Sequence, residues 1–271
     1  MKKLKPCKPA ALTLMAMVGS LISCTTPKPA ITGDKGTQME EFEVKGRQGL
    51  LVNQRLSFGE YTTLKVDRSW TKTSSWSIGA SQTDLTVPGP VNVISYDHIN
   101  RKQTLRFAAQ SSMGEVADVY AANRVKAREL RIGEGNGPAA FTLDLSGLSG
   151  SRGNNLFYVQ IYIAGSDQPW QLILDNEMAQ EKAEKYSGYL YGPNNRYYQL
   201  RPLRHYQTKQ GKKAKLIMGH IGFEILDEEG VSQAAVSTLD KGLVYLNNSA
   251  SPKERFLLEN LCAALLLQEH I

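Results

Sequence analysis

The chain has 271 residues, 41 % of them apolar and 21 % charged, with 11 Pro, 23 Gly and a formal charge of +6. One or two domains fit in this length, since a typical domain takes ~100–200 residues. The composition excludes a disordered polyampholyte, a collagen-like repeat and a multi-span membrane protein, and it leaves enough apolar chain for a full core.

The chain opens with MKKLKPCKPAALTLMAMVGSLISC. Lys2, Lys3, Lys5 and Lys8 form a positive start, and no acidic residue occurs before Asp34. Ala10 to Ile22 is a mostly apolar run of 13 residues, ending among the small residues Gly19, Ser20 and Ser23. Positive end, apolar segment and small residues together read as a secretory signal. A spanning helix needs ~20 apolar residues, so this run is too short to anchor the chain by itself.

The last four of these residues, Leu21-Ile22-Ser23-Cys24, resemble the lipobox of bacterial lipoprotein precursors. The resemblance implies cleavage between Ser23 and Cys24, a diacylglyceryl thioether on Cys24 and acylation of the new amine. Ile22 departs from the small residues commoner at its position. Two or more acyl chains hold a protein on a membrane stably, whereas one holds it marginally. Thr25, instead of Asp, follows the Cys, and the same resemblance then implies the outer membrane. The rival reading is simple secretion after cleavage at a neighbouring small residue. Cleavage removes four Lys and brings the charge from +6 to +2. A nearly neutral body gives no argument from global charge for nucleic acid or for an anionic membrane. Cys7 is lost with the signal and Cys24 is taken by lipid, leaving Cys262 and no internal disulfide. Cys262 lies in an apolar run and reads as a small buried hydrophobe.

Thr25 to Gln38 is rich in Thr, Pro, Gly and Lys and reads as a flexible tether, with residues 24–38 linking the anchor to one domain over 39–271. Within that domain, alternation punctuated by turns predicts ten or more short strands. YTTLKVDRSW alternates Leu64, Val66 and Trp70 with polar residues. Val91, Val93 and Tyr96 follow Pro88-Gly89-Pro90 in a short strand. Two helices are expected at Gly114–Leu130, which is ambiguous with strand, and at Asn176–Tyr186, which is polar. FTLDLSG alternates Phe141, Leu143 and Leu145, and LFYVQIYIAG places Phe157, Val159, Ile161 and Ile163 on one side. WQLILD follows a Gly-Ser-Asp turn. YLYGPNNRYYQL reads as a hairpin with Gly-Pro-Asn-Asn at its tip. KLIMGHIGFEILDEEGVSQAAV reads as another, turning at Asp227–Gly230, and a turn at Asp240–Gly242 leads into LVYL.

The final segment starts with Ser251 as N-cap, Pro252 at the first helical position and Glu254 three residues after the cap. From Phe256 to Leu267, ten of twelve positions are apolar, interrupted only by Glu259 and Asn260. A helix apolar on all sides must be enclosed. The fold class expected is therefore mainly β: an antiparallel barrel or sandwich with a buried hydrophobic C-terminal helix over residues 252–269. GFEILDEEGVSQAAV, GLVYL and ERFLLENLCAALLL together resemble the end of the tubby-like barrel, in which a closed antiparallel barrel is threaded by a hydrophobic C-terminal helix. Members of that group bind membrane phosphoinositides or act as scaffolds, but no lipid-binding motif here matches one. The alternative is a sandwich with the helix over one open end.

Catalytic patterns are sparse. His98, His205, His220 and His270 have no His or Cys partner at ligand spacing, so no metal or cofactor is expected. Gly133–Pro138 lacks the third Gly and following helix of a phosphate loop, and reads as a loop. Ser69-Trp70-Thr71-Lys72 matches SxxK by chance, with no KTG after it. Asp97-His98 is a candidate acid–base pair, but neighbours on a strand face opposite ways, and the pair reads as a loop exposed to water. Asp227-Glu228-Glu229 reads as a charged turn. One candidate ligand surface remains: Tyr189, Tyr191, Arg196, Tyr197, Tyr198, Arg201 and Arg204, inside a Tyr- and Arg/Lys-rich stretch from Tyr186 to Lys215. Aromatic faces beside cations stack sugars and grip anions; equally, Tyr pairs steady neighbouring strands and KQGKK is a solvated turn. The expected function is non-enzymatic binding or scaffolding by an envelope lipoprotein, its partners the membrane through Cys24 and an envelope protein, lipid or glycan. The alternative is a surface glycan hydrolase using carboxylates from separate strands.

Overall fold

The computed structural model describes residues 28–31, 38–47, 55–69, 76–78, 94–97, 103–125, 129–132, 141–144, 155–208 and 211–268. The signal, Cys24, Trp70–Lys72, Val91, Val93, His98, Gly133–Pro138, Leu145 and His270 lie outside them.

Alternating sequence gives strands throughout. The chain begins with β1 (Lys28–Pro29), β2 (Met39–Glu43), β3 (Ser57–Phe58), β4 (Tyr61–Ser69), β5 (Trp76–Ile78) and β6 (Ile94–Asp97). It continues with β7 (Gln103–Gln110), β8 (Val116–Val125), β9 (Glu129–Ile132), β10 (Phe141–Asp144), β11 (Leu156–Ile163) and β12 (Trp170–Asp175). Then come helix α1 (Asn176–Glu181), β13 (Gly188–Tyr191), β14 (Tyr197–Pro202), β15 (His205–Gln207) and β16 (Lys213–Lys215). The last elements are β17 (Gly222–Leu226), β18 (Ser232–Ser237), β19 (Leu243–Asn247) and helix α2 (Pro252–Leu267).

Twelve strands form one antiparallel sheet in the order β2-β19-β18-β17-β14-β13-β12-β11-β8-β7-β4-β3. Its two edges meet at an antiparallel bridge just beyond β2, where the Lys45 amide donates to the Ser57 carbonyl at 2.8 Å and the Ser57 amide returns the bond at 3.0 Å. The sheet is thus rolled into a barrel, which removes nearly all unpaired edge.

The barrel is filled by α2. Inward residues recur at period two: Leu105, Phe107 and Ala109 on β7; Ala117, Val119 and Ala121 on β8; Phe157, Val159, Ile161 and Ile163 on β11. They join Ala234 and Val236 on β18 and the whole apolar run of α2 in one core. Every α2 residue from Phe256 to Leu267 except Glu259 is buried, on all sides of the helix. Space for a helix of ~10 Å diameter comes from small inward residues facing it, Ala117 and Ala121 on β8 and Ala234 on β18. Ser251 caps α2 as expected, accepting from the Glu254 amide at 3.3 Å. At the other end Arg47 donates to the carbonyls of Leu266 (2.8 Å), Thr238 (2.7 Å) and Asp240 (3.0 Å), placing a cation where the helix dipole is negative. Gly222 holds a positive φ of 150°, and a Cβ there would lie 1.8 Å from the Val236 carbonyl oxygen.

Two expectations need correction. The described residues of Gly114–Leu130 carry strand instead of helix: the Ala-rich run of β8 has helical propensity, yet neighbours β7 and β11 pair with it on both sides. Lys28–Ile31, assigned by composition to the tether, is docked to the body. Lys28 pairs with Gln207 and Pro29 with Tyr206, the Ala30 amide donates to the His205 carbonyl at 2.8 Å, and Lys28 bridges to Glu41 at 2.6 Å. The sheet β1-β15-β16 covers a second apolar cluster, Leu203, Ile221, Ala235, Leu243 and Tyr245, on the outer face of the barrel. A separate sheet runs β10-β9-β6-β5.

Candidate functional site

The β13–β14 hairpin turns at Gly192–Asn195, as the sequence predicts, and its register pairs Tyr191 with Tyr197 and Tyr189 with Gln199. Directly paired residues share a face, so Tyr189, Tyr191 and Tyr197 stand together on the outer side of the barrel. Their ring centroids are 5.8 Å (189–191), 6.0 Å (189–197) and 6.3 Å (191–197) apart. Such contacts contribute ~0.5–1.5 kcal/mol each, so strand pairing accounts for part of the cluster. Tyr191 nevertheless remains 45 % exposed. Arg201 lies on the same face and donates to Gln199 Oε1 at 3.0 Å.

The other three residues of the predicted surface go elsewhere. Tyr198 alternates inward and is 2 % exposed. Its hydroxyl donates to Glu254 Oε1 at 2.5 Å, in the first turn of α2, and burial together with that carboxylate pushes its pKa up. Arg196 lies at the hairpin end, 5.8 Å over the Trp170 ring and 3.4 Å from the Tyr198 hydroxyl. Arg204 stands at the opposite end of β14, donating to the carbonyls of Leu216 and Ile217 at 2.7 Å each and pairing with Glu184 at 3.0 Å. The seven residues therefore split into an outer platform (Tyr189, Tyr191, Tyr197, Arg201), a mouth residue (Arg196), a core residue (Tyr198) and a loop clamp (Arg204).

Two cavities open at the mouth where α2 enters. One, of about 410 Å³, adjoins the hairpin and is lined by Trp170, Arg196, Lys253, Asn194, Asp167 and Gln168, among others. The second, of about 320 Å³, is lined by Phe42, Glu60, Tyr61, Glu115, Arg255 and Glu259, among others. Glu259 is a single carboxylate on an otherwise apolar stretch of helix, its side chain 13 % exposed and 3.4 Å from Arg255 Nε. Burial raises its pKa to about 7, with Arg255 opposing and Glu60 adding to the rise. Arg255 also reaches Glu40 at 3.2 Å and lies 5.3 Å over the Phe42 ring. Below, the Tyr61 hydroxyl donates to Asn260 Oδ1 at 2.9 Å, and Asn260 Nδ2 donates to the Phe256 carbonyl at 2.7 Å. The break in the apolar run at Glu259-Asn260 was the sequence signal for this site.

The remaining candidates have structural surroundings. Cys262 is fully buried, and its thiol pKa is pushed up by that burial. His220 packs 4.5 Å from the Phe223 ring, and His205 is exposed on β15. Asp227 ties its own turn, accepting from the amides of Glu229 (3.1 Å) and Val231 (2.8 Å), while Glu228 accepts from the Tyr197 amide at 3.2 Å. Among the described residues no group of three His, Cys, Asp or Glu is placed to hold a metal ion, and no helix is long and apolar enough to cross a membrane. Comparison with protein-family models, with curated proteins and with solved structures finds no match to this chain.

Proposed function

We propose that this chain is a lipid-anchored protein of the bacterial cell envelope, acylated on Cys24, that binds or scaffolds another envelope component without catalysing a reaction. The observation that carries the reading is the filled barrel. α2 occupies the interior, so recognition falls to the outer face and the mouth, where the Tyr189–Tyr191–Tyr197 platform offers exposed aromatic surface. Ring faces beside Arg201 suit a sugar ring or a protein loop. The test is titration of the purified lipoprotein against envelope glycans, lipids and proteins, repeated with Tyr191→Ala and Tyr197→Ala. Saturable binding weakened about tenfold or more by the substitutions, or ~1.4 kcal/mol, is expected. Silence against all three classes contradicts the reading.

A second reading has one observation in its favour. Glu259, whose pKa burial raises to about 7, shares its cavity with the carboxyl groups of Glu60 and Glu115, and paired carboxyl groups in one cleft are the equipment of glycoside hydrolysis. Incubation with envelope glycans decides it: release of sugars abolished by Glu259→Gln favours the hydrolase, and no release from any glycan removes it.

A further inference from the structure

Among the described residues, the two most exposed large hydrophobic side chains are neighbours: Ile217 is 93 % exposed and Met218 is 78 % exposed. Their backbone is firmly held. Arg204 donates to the carbonyls of Leu216 and Ile217, the Leu216 amide donates to the Arg204 carbonyl at 2.9 Å, and the Gly219 amide donates to the Gln180 carbonyl at 3.2 Å. Leu216 packs against the outer apolar cluster, so the loop is pinned while its next two side chains project into solvent. Isolated exposed hydrophobics are ordinary, but an adjacent pair on a clamped loop presents an apolar edge.

The strand before this loop is basic. The register His205↔Lys215 and Gln207↔Lys213, with Lys28↔Gln207, puts Lys28, Lys213, Lys215 and His205 on one face of the small sheet, with Lys212 at its turn. Glu41 pairs with Lys28, and Glu184 pairs with both Lys215 and Arg204. Lys212 and Lys213 stay in excess, and the face is net positive.

The third observation is where the chain starts. β1 supplies the edge of this same sheet, and four residue steps separate Lys28 from Cys24. Fully extended, four steps reach at most ~14 Å. Ile217 lies a further four residues from Lys213, which is about the same distance again. Acyl chains on Cys24 would therefore hold the edge of this sheet within ~14 Å of the lipid, and Ile217 about the same distance further.

We propose that the barrel lies on the membrane through this side: Lys212 and Lys213 against an anionic phospholipid surface, with Ile217 and Met218 in the headgroup region beside the lipid on Cys24. The inference rests on reading Cys24 as the anchor. Apolar side chains on the same side as unpaired cations are the ordinary equipment of a protein surface that partitions into an anionic interface. The mouth and the Tyr platform then remain free for a partner.

The test uses the full processed lipoprotein in phosphatidylglycerol–phosphatidylethanolamine vesicles. An environment-sensitive dye is attached through Ile217→Cys, and in a second sample through Met113→Cys. Met113 is 72 % exposed on the β7–β8 turn, across the barrel from β18 and at the end where α2 begins. Cys262 is fully buried and does not compete for the dye. Spin-labelled lipid is expected to quench the dye at position 217 about twofold or more, with a blue shift, and to leave position 113 nearly unchanged. Equal, weak quenching at both positions overturns the proposal, and so does stronger quenching at 113. Labelling with an alkynyl fatty acid reads the anchor separately. Acylated protein without selective quenching at 217 keeps the anchor and discards the face; protein that takes up no acyl label removes the anchor on which the face rests.

Discussion

Leu257 and Leu266 are nine residues apart on α2, which at 100° per residue puts them about 180° apart around the helix. Both are buried, at 3 % and 1 % exposure. In a barrel that encloses the helix, shortening either one to Ala leaves a cavity, and each should cost ~2–5 kcal/mol. For a protein of this size ~1 kcal/mol moves Tm by about 2–4 °C, so a 3 kcal/mol loss lowers it by about 6–12 °C. Leu64→Ala is the control; Leu64 is 49 % exposed, and a change within about ±0.5 kcal/mol is expected. Urea unfolding followed by tryptophan fluorescence gives all three values. A helix lying across the open end of a sandwich would make one of the pair as cheap as the control. Such an asymmetry would refute the enclosed helix, whereas similar large losses on both sides are expected.

Tyr61→Phe leaves Asn260 Oδ1 buried without its donor and should cost ~1–3 kcal/mol in the same assay, while Tyr61→Phe combined with Asn260→Leu should recover most of the loss. Glu259 has its folded pKa raised to about 7 from 4.5, so the folded state holds the proton more tightly than the unfolded chain. The resulting penalty is absent below pH 4.5, grows as pH rises and is complete above about 7, reaching up to ~3 kcal/mol. Glu259→Gln should therefore gain stability over the parent as pH goes from 4.5 to 7.5; a pH-independent difference in denaturation midpoint would exclude it. Arg47→Met removes three carbonyl contacts at the C-terminal end of α2 and should cost ~1–3 kcal/mol, with faster hydrogen exchange at the last turn of the helix.

Elements with strictly local determinants were legible in the sequence. Ser251 and Pro252 mark the start of α2, and ten apolar positions around its axis demanded enclosure. Gly192–Asn195, Asp227–Gly230 and Asp240–Gly242 mark turns through residues that tolerate positive φ, among them Asn194, Asn195 and Asp240. Barrel and sandwich share the same alternation, so the choice between them depended on the single bridge between Lys45 and Ser57, a contact without a local signature. β8 hid behind its alanines, small because α2 passes close by. β1 hid because two paired residues in a Thr- and Pro-rich stretch carry no periodicity. KLIMGH read as part of a strand, but β17 begins at Gly222, and Ile217 and Met218 belong to the exposed loop before it. Of the candidate surface, alternation placed Tyr197 and Tyr198 on opposite faces of β14, so a list of nearby aromatic residues mixed platform with core. Glu259 was visible only as an interruption; its raised pKa arises from the walls that the fold puts round it.

The most direct measurement is the mass of the N-terminal peptide of the protein isolated from its native membrane. A peptide that begins at Cys24 and carries a diacylglyceryl group on its sulfur is expected. A peptide with unmodified Cys24, or one that still includes residues before it, would contradict the lipid anchor and with it the envelope role proposed for the barrel.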